Sequence, residues 1–432
     1  MVELQALEGT IKPIVTRDDI LTMTGIGTGT PKEVERRFIS LGRYLETPVP
    51  DRVTHLWRYS DPVRFFPKSA LTPSRVDNPA PAFAGEGDEV SVTLVPGTTP
   101  SIAIGPLARR QGVVVEPLHR SPAGLKLLLS TVTPEHGIFE SLSGAIWSTG
   151  IFVAVPKGVR LEAPIRIVHR AELTTNAARV VIHVASGADV KIVEALGGGG
   201  DARHVLGATE VVVDEGARAE HALIQNWAPG TVGHVTCRAA LGRDAVWQSA
   251  TISLGGAALK ADLGAVLNGV GAESNIVGVS LSRKRQHMDF HTEHHHSAAR
   301  TRSRINFKTA LAGRSTAVYT GLIRMEEHAL SSEAFQENRN LMLSDRAKSH
   351  AIPELEIMTN EVQCSHAATS APINEEELFY LQSRGVGRAQ AERILVRGFL
   401  EDALSLIPEG VKSPVEAALD DALQALGKKG EK

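Results

Sequence analysis

Apolar and polar positions alternate along short stretches of the chain between about residues 90 and 372. Two examples are VVIHVASGADVKIVEAL at 180–196 and TEVVVDEGARAEHALIQNW at 209–227. Alternation with a period of two residues is typical of half-buried β-strands, whereas the helical period is nearly absent over this span. The pattern therefore predicts a mainly β domain over 90–372.

Turns rich in small residues separate these stretches at nearly even intervals. Four turn glycines follow each other at intervals of 29, 26 and 29 residues, namely Gly187, Gly216, Gly242 and Gly271. Repetition of a whole strand-and-turn unit indicates stacked coils that bury one continuous core, so we expect a parallel β-helix. A β-sandwich is the alternative, but hairpins would join its strands, and the even spacing fits coils better.

Helical patterns occupy both ends of the chain. Residues 1–89 predict an N-terminal helical domain followed by a proline-rich linker. In the stretch TPKEVERRFISLGRYLE at 30–46, Thr30 is the expected N-cap, Pro31 suits the first helical position and Glu33 would complete a capping box. Further along, closely spaced prolines predict the linker or an irregular flap, at positions 67, 73, 79 and 81.

Residues 373–432 predict a C-terminal domain of three helices. Asn374 is placed to cap the first helix, and Gly385 would end it. The second helix covers 388–407, and the third would open at Pro414. The apolar faces of these helices must be buried either against the coils or against another protein.

Composition and charge exclude several classes of function. Aromatic residues make up only 4% of the 432 residues, which argues against the flat platforms that bind sugars or stack on bases. Lys plus Arg number 46 and Asp plus Glu 49, so the formal net charge is −3. No basic face is implied, and nucleic acid is not expected as a partner.

Cysteine usage and hydropathy bear on the compartment. Cys237 and Cys364 lie far apart in the sequence, and a disulfide framework would need more cysteines, which favours a reducing compartment. The N-terminal stretch lacks the apolar segment of a signal peptide, and no apolar run reaches the roughly 18 residues that a membrane span requires. We therefore expect a cytoplasmic protein without a membrane partner.

The stretch HMDFHTEHHHSAAR at 287–300 concentrates histidine residues. On a strand, Asp289, His291, Glu293 and His295 would share one face, and His294 and His296 the other. The stretch is not an HExxH motif, and the surrounding coil pattern favours a strand. We interpret it as a polar face of the solenoid whose imidazoles form hydrogen bonds. The alternative is a metal site, in which case the chain would be a β-helix metalloenzyme.

Several motifs in the C-terminal third resemble the SufB/SufD family of iron–sulfur cluster assembly proteins. The specific ones occur in order, as QENRNLMLS at 336–344, PELEI at 353–357, CSHAAT at 364–369 and LFYLQSRG at 378–385. The resemblance continues through GLIRMEEHA and MDFHTEHHH and, more weakly, back to 151–167 and to WRYSD at 57–61. Motifs in a fixed order are far more specific than any one of them.

This resemblance implies a right-handed parallel β-helix flanked by helical domains, in agreement with the coil pattern. It also implies a subunit of a complex that assembles and transfers iron–sulfur clusters, together with a SufB-like paralogue and a SufC-like ABC ATPase. SufB carries a cysteine where this chain has Ala347, and an acidic residue where it has Ala367. Both departures indicate a SufD-like subunit, which would pair with a SufB-like chain in a heterodimer or with itself.

The resemblance implies functional roles for two groups of residues. His366 and Cys364 lie two positions apart, so they share a strand face, and they are the implied candidate ligands for a nascent cluster at the partner interface. A buried cysteine beside a hydrogen-bonded histidine is the alternative. The implied docking surface for the ATPase lies on the C-terminal helices, with these expected anchors: Phe379, Tyr380, Arg384 and Phe399. These four side chains could instead only pack the helices together.

The sequence contains no GxxxxGK[ST] motif, so ATP hydrolysis is expected in the SufC-like partner and not in this chain. The chain is therefore interpreted as a non-enzymatic scaffold. It is expected to bind no cofactor or metal tightly by itself, and to share a transient iron–sulfur cluster within the complex.

Overall fold

The computed structural model describes residues 4–7, 10–24, 29–68, 76–79, 90–200 and 203–426. The strands within these ranges are β1 (Leu4–Leu7), β2 (Thr10–Pro13), β3 (Val76–Pro79), β4 (Val90–Leu94), β5 (Thr98–Thr99), β6 (Ser101–Ile104), β7 (Val114–Pro117), β8 (Thr149–Val155), β9 (Ile165–Ala171), β10 (Thr175–Val184), β11 (Asp189–Gly198), β12 (His204–Val213), β13 (Arg218–Gln225), β14 (Val232–Leu241), β15 (Val246–Ser253), β16 (Ala258–Leu267), β17 (Glu273–Ser282), β18 (His287–His296), β19 (Arg302–Leu311), β20 (Thr316–Met325), β21 (Ser332–Met342), β22 (Lys348–Ile357) and β23 (Val362–Pro372). The α-helices are α1 (Arg17–Met23), α2 (Pro31–Glu46), α3 (Pro106–Arg110), α4 (Pro122–Leu127), α5 (Ile138–Ile146), α6 (Glu375–Ser383), α7 (Arg388–Ser405) and α8 (Glu409–Gln424).

Strands β8 to β23 wind into a parallel β-solenoid of about 8 turns. Each turn contributes an even-numbered strand to one sheet and an odd-numbered strand to the other. The first sheet runs from β22 through β8 to β7, and the second from β23 through β9 to β4 and β6. Neighbouring strands come from successive coils and are parallel, so the predicted solenoid is confirmed and the sandwich is excluded.

Inward-facing side chains of the two sheets form the main core, which is rich in Val, Ile, Leu and Ala. Because the coils stack in register, equivalent residues lie above one another. Val180 pairs with Thr209, and Thr209 pairs with Cys237. A polar residue at an inward position is consequently buried among the residues of its neighbouring coils.

The repeated turns require left-handed backbone, as the glycine spacing indicated, with one exception. Gly187, Gly216 and Gly271 have φ angles of 69°, 64° and 77°. Gly242 does not adopt a positive φ, and the left-handed position of that turn is Asp244, with φ 52°. Aspartate tolerates this region through its short polar side chain. Gly242 serves another purpose, since an added Cβ would lie 3.0 Å from the backbone nitrogen of Glu215.

The regular coils begin at β8, later than the expected boundary at residue 90. Between 90 and 148 the chain forms strands β4 to β7 and helices α3 to α5. Strands β4, β6 and β7 extend the two sheets, and α5 packs on the outer face of the even-numbered sheet. Every residue of α5 is buried. Its polar residues are buried with partners, since Glu140 accepts from the Thr236 hydroxyl and Ser141 donates to the Pro134 carbonyl oxygen. The helix has only nine residues, too few to show a clear helical period in the sequence.

The N-terminal segment contains the predicted helix α2, together with α1 and the antiparallel pair β1–β2. The Thr30 hydroxyl accepts a hydrogen bond from the Glu33 backbone N–H, as expected for an N-cap. The Glu33 carboxylate, however, pairs with the buried Arg37 guanidinium at 3.0 Å. Of the predicted proline-rich linker, residues 69–75 and 80–89 lie outside the described ranges.

The C-terminal helices α7 and α8 pack on the outer face of the odd-numbered sheet, in contact with β11, β13, β17 and β19. Helix α8 begins at Glu409, earlier than predicted, and Pro414 lies inside it. The earlier start buries Val411 against the sheet and lets the Gly410 N–H donate to Glu220 Oε2 at 3.2 Å. No helix within the described ranges is both long and apolar enough to span a membrane.

Candidate functional site

The histidine-rich stretch forms β18, with the alternation that the sequence predicted. His287, Asp289, His291 and Glu293 project from the outer face of the even-numbered sheet, whereas His294 and His296 project into the core with Met288 and Phe290. Each imidazole has a partner at hydrogen-bond distance: His287 with Ser60 (2.7 Å), His291 with Asp262 (2.6 Å), His294 with Ser274 (2.8 Å), His295 with Glu326 (2.8 Å), and His296 with Thr301 (2.7 Å) and Ser303 (2.8 Å).

The outer face of β18 belongs to a buried ionic network. Arg238 pairs with Asp262 and with Glu293, each at 2.5 Å. Burial opposes the ionised form of Asp262, but Arg238 and His291 outweigh burial and hold its pKa well below the usual value. The N-terminal segment covers this network, because the Lys260 ammonium lies 4.7 Å from the centre of the Trp57 ring and donates to the Leu56 carbonyl oxygen at 2.8 Å.

These pairings give the stretch a structural role. Across the ranges that the structure describes, no group of three or more His, Cys, Asp or Glu side chains is placed to hold a metal ion. The metalloenzyme alternative therefore finds no support in the geometry of β18. The stretch is a polar solenoid face that fastens the N-terminal segment to the coils.

A second polar cluster, which the sequence analysis missed, lies inside the solenoid. The buried Glu194 carboxylate accepts from the Thr209 hydroxyl at 2.8 Å and lies 2.8 Å from His169 Nε2 and 3.3 Å from His221 Nε2. His221 Nδ1 in turn lies 4.0 Å from Cys237 Sγ. Burial raises the pKa of the Cys237 thiol well above its usual value. Glu194 shares the inward parity of Ile192, a signal that was available in the sequence.

The candidate ligands His366 and Cys364 lie on β23, the last strand of the solenoid. Both share the inward parity of Val362, as expected, and they pair in register with Gln336 and Ala334 of β21. No further coil covers β23 within the described residues, so His366 is exposed and Cys364 is half-buried. Partial burial raises the pKa of the Cys364 thiol.

Beneath this open coil, three side-chain amides line the interior of β21. Gln336, Asn338 and Asn340 alternate along the strand and are each at most 4% exposed. Asn340 Nδ2 donates to Asn338 Oδ1 at 2.7 Å and to the Ser370 hydroxyl at 3.3 Å. Two amide atoms remain without a partner, Gln336 Oε1 and Asn338 Nδ2. The motif QENRNLMLS therefore places a polar layer directly under the end of the solenoid.

A pocket of about 310 Å³ adjoins the same end on the outer face of the odd-numbered sheet. Its lining includes the polar or charged residues Arg304, Asn306, Glu337 and His366 and the apolar residues Phe335 and Leu406. Arg304 and Asn306 were not selected from the sequence, because they become neighbours of Phe335 and His366 only when three successive coils stack.

The expected docking residues divide into two groups. On α6, Phe379 is 72% exposed and Tyr380 is 57% exposed, and the Arg384 guanidinium lies 5.2 Å from the centre of the Tyr380 ring. Phe399 of α7 is half-buried, with the Lys308 ammonium 5.1 Å from its ring centre. The exposed aromatic pair on α6 is available for contact, whereas Phe399 packs the helix onto the sheet.

Comparison with known proteins gives one family match. The sequence model described as SUF system FeS cluster assembly, SufBD core domain, matches residues 167–399. An iron–sulfur cluster assembly SufBD family protein of Mycobacterium tuberculosis is 33% identical over 248 residues, which are 55% of this chain and 61% of the relative. The alignment thus spans about six tenths of that relative's length.

Two further relatives carry more specific names. The iron–sulfur cluster assembly protein SufD of Escherichia coli is 29% identical over 294 residues, covering 66% of this chain and 70% of the relative. The iron–sulfur cluster assembly protein SufB of Bacillus subtilis is 28% identical over 281 residues, covering 64% of this chain and 60% of the relative. The similarity thus extends to relatives of both names.

Proposed function

The chain belongs to the SufB/SufD family of iron–sulfur cluster assembly proteins, and on that premise we propose that it is a SufD-like, non-catalytic scaffold subunit. In this proposal it pairs with a SufB-like chain and binds a SufC-like ATPase, which hydrolyses ATP. The iron–sulfur cluster is the cargo of the complex.

The proposal rests on the open end of the solenoid, which is formed by β22 and β23. Strands β22 and β23 are the last strands of their sheets, and each pairs on one side only among the described strands. Unpaired strand edges favour the addition of a strand from another chain. A paralogous solenoid offers matching edges to both sheets at once, which supports a heterodimer over an isolated subunit. A second copy of this chain would offer the same edges.

The position of His366 supports a role at that interface. It stands exposed on the last strand, so a partner docked on the edge would enclose it. A neutral imidazole is a suitable iron ligand, and Cys364 lies beside it on the same face. Ala347, which replaces the cysteine of SufB, is 7% exposed and packs against Leu311 and Ala317. The remaining ligands are therefore assigned to the partner.

Replacement of His366 by alanine tests the proposal. We expect the variant to fold normally, because the side chain is exposed, and to lower cluster formation by the reconstituted three-protein complex about tenfold or more, since loss of one ligand leaves the site incomplete. The measurement is the visible absorbance of the cluster formed per complex over time. His328, exposed in a turn, gives the matched control as His328→Ala. An unchanged cluster yield in His366→Ala would refute the role.

A further inference from the structure

We infer that Gln336 is a positioning residue that orients the imidazole of His366, an inference that rests on the function proposed above. Gln336 lies on β21 directly opposite His366 on β23, and both side chains have inward parity. Its own side chain is almost fully buried, at 3% exposure.

One end of the Gln336 amide is fixed by the facing sheet. Its Nε2 donates to the Gly321 carbonyl oxygen at 3.2 Å. Gly321 leaves the space for this contact, because an added Cβ would lie 2.4 Å from Gln336 Nε2. Since a carbonyl oxygen can only accept, the NH₂ group must face Gly321, and the amide oxygen occupies the other position.

The other end of the amide, Oε1, is buried and has no hydrogen-bond partner. Buried polar atoms nearly always have one, so an unpaired acceptor indicates a donor that arrives with a further state of the molecule. The imidazole of His366 is the donor opposite it in the register, about one strand spacing away. His366 is exposed on the last strand, so its ring has space to turn toward Gln336.

A hydrogen bond from one ring nitrogen determines the role of the other. When one imidazole N–H donates to Gln336 Oε1, the second nitrogen is unprotonated and can bind a metal. The geometry thus assigns to Gln336 the selection of the His366 tautomer. In that tautomer the second ring nitrogen can bind a divalent iron ion or an iron of the nascent cluster. Cys364 lies on the same strand face as His366, and the charged residues Arg304 and Glu337 line the adjoining pocket.

Asn338 is an alternative hydrogen-bond partner for the unpaired oxygen of Gln336. Its Nδ2 is also buried without a partner, and it lies two residues from Gln336 on the same face. A small rotation could pair the two amides with each other and leave His366 without a partner. Measuring the His366 tautomer separates these two cases.

The test is nitrogen-15 NMR of the full chain with labelled histidine, at a pH where imidazoles are neutral. His366→Gln assigns the signal. In the unmodified chain we expect one tautomer to predominate, and in Gln336→Leu we expect the ratio of the two tautomers to change about fivefold. Gly321→Ala should shift the ratio in the same direction, because it displaces the amide without replacing it. Gln363→Leu, the same exchange on the outer face of β23, is the control and should leave the ratio unchanged.

Two results would overturn the inference: an unchanged ratio in both Gln336→Leu and Gly321→Ala, or a ratio that changes only in Asn338→Leu. The measurement uses the isolated chain and no cluster, so it is independent of the proposed function. If the tautomer follows Gln336 but His366→Ala leaves cluster yield intact, the function fails and the positioning stands. If both hold, Gln336→Leu should lower cluster formation, and adding it to His366→Ala should have no further effect.

Discussion

Burial keeps His294 and His296, which project into the solenoid core, in the neutral form. His296 is fully buried, and burial lowers its pKa to about 3. Burial also holds the pKa of His294 well below the usual value. An unfolded chain takes up a proton on each imidazole near pH 6.5, whereas the folded chain does not until the pH is far lower. Stability from these residues is therefore fully present above about pH 6.5 and is lost progressively as the pH falls toward 3.

Replacement of His296 by asparagine should make stability less dependent on pH. The unmodified chain should lose up to about 1.4 kcal/mol of unfolding free energy per pH unit through His296 below about pH 6. The variant should be less stable than the unmodified chain at pH 8, since it loses hydrogen bonds to Thr301 and Ser303, but its stability should fall less by pH 5. Urea unfolding at the two pH values measures this difference.

His328→Asn is the matched control, because His328 is exposed in a turn. It should preserve the pH dependence of the unmodified chain. An equal loss of stability between pH 8 and pH 5 in His296→Asn and in the unmodified chain would show that His296 is protonated in the folded state.

At the residue scale, the sequence predicted which way side chains face better than it predicted their hydrogen-bond partners. Period-two alternation correctly assigned the faces of β18 and placed Cys364 and His366 together. It could not predict that Ser60, far away in the sequence, meets His287, because that contact depends on how the N-terminal segment docks. The roles of Cys364 and His366 remain predictions.

At the element scale, turns show which positions require glycine and for what reason. Gly187 and Gly313 have nearly the same φ, 69° and 70°. Around Gly187 an added Cβ would meet nothing within 4 Å, whereas at Gly313 it would lie 3.0 Å from the backbone nitrogen of Lys284. Both positions disfavour an L-residue, but only Gly313 is also crowded by the backbone of the preceding coil.

This contrast predicts different costs for the same substitution. Gly187→Ala should lower the free energy of unfolding by about 1 to 2 kcal/mol, the cost of a left-handed non-glycine residue. Gly313→Ala should lose clearly more, because backbone atoms of Lys284 cannot swing aside. Thermal and urea unfolding of the two variants measure the difference. Gly158→Ala, with φ 71° and equally open surroundings, should behave like Gly187→Ala. Equal losses at Gly187 and Gly313 would contradict the steric argument.

Element types followed from the sequence where one face of the element is polar. The solenoid strands and helix α2 have such a face, and both were predicted. Helix α5, with nine residues, is too short to show a clear helical period, and the start of α8 was hidden by Pro414, whose usual place is the first turn of a helix. Tertiary burial of Val411 decided that boundary, and no local pattern encodes it.

At the scale of the whole molecule, the two ends of the solenoid differ. The N-terminal end is covered by α3 and by β4, β6 and β7, whereas α5 packs on the outer face of the even-numbered sheet and α7 and α8 on that of the odd-numbered sheet. The repeat predicted the coils, and the helical patterns predicted apolar faces that must be buried. Neither pattern could predict that the C-terminal helices would leave β22 and β23 uncovered, since an amphipathic helix can bury the same apolar face on a side or on an end.

Docking of the ATPase should depend on the exposed aromatic pair of α6. We expect Phe379→Ala and Tyr380→Ala each to weaken binding of the SufC-like ATPase about tenfold or more, because large aromatic side chains at interface centres contribute most to affinity. Both variants should melt at the temperature of the unmodified chain, since both side chains are exposed. Isothermal titration calorimetry measures the Kd.

Ile394→Ala on α7 is the matched control, as Ile394 is also exposed, at 45%. It should retain the original Kd. If Phe379→Ala and Tyr380→Ala both bound with unchanged Kd, α6 would not be the docking surface.

The in-register stacking of the coils also fixes how the length of this molecule can vary. Val232 pairs with Ala258, 26 positions later, and Thr316 pairs with Lys348, 32 positions later, yet all four of these strands are 10 residues long. The intervening strand on the other sheet absorbs part of the difference, since β15 has 8 residues and β21 has 11, and the turns absorb the rest. Insertions and deletions there leave the axial rise untouched, at about 4.8 Å per coil. The distance between the covered end and the open end therefore changes only by whole coils. Changes in turn length alter the width of the solenoid but not its length.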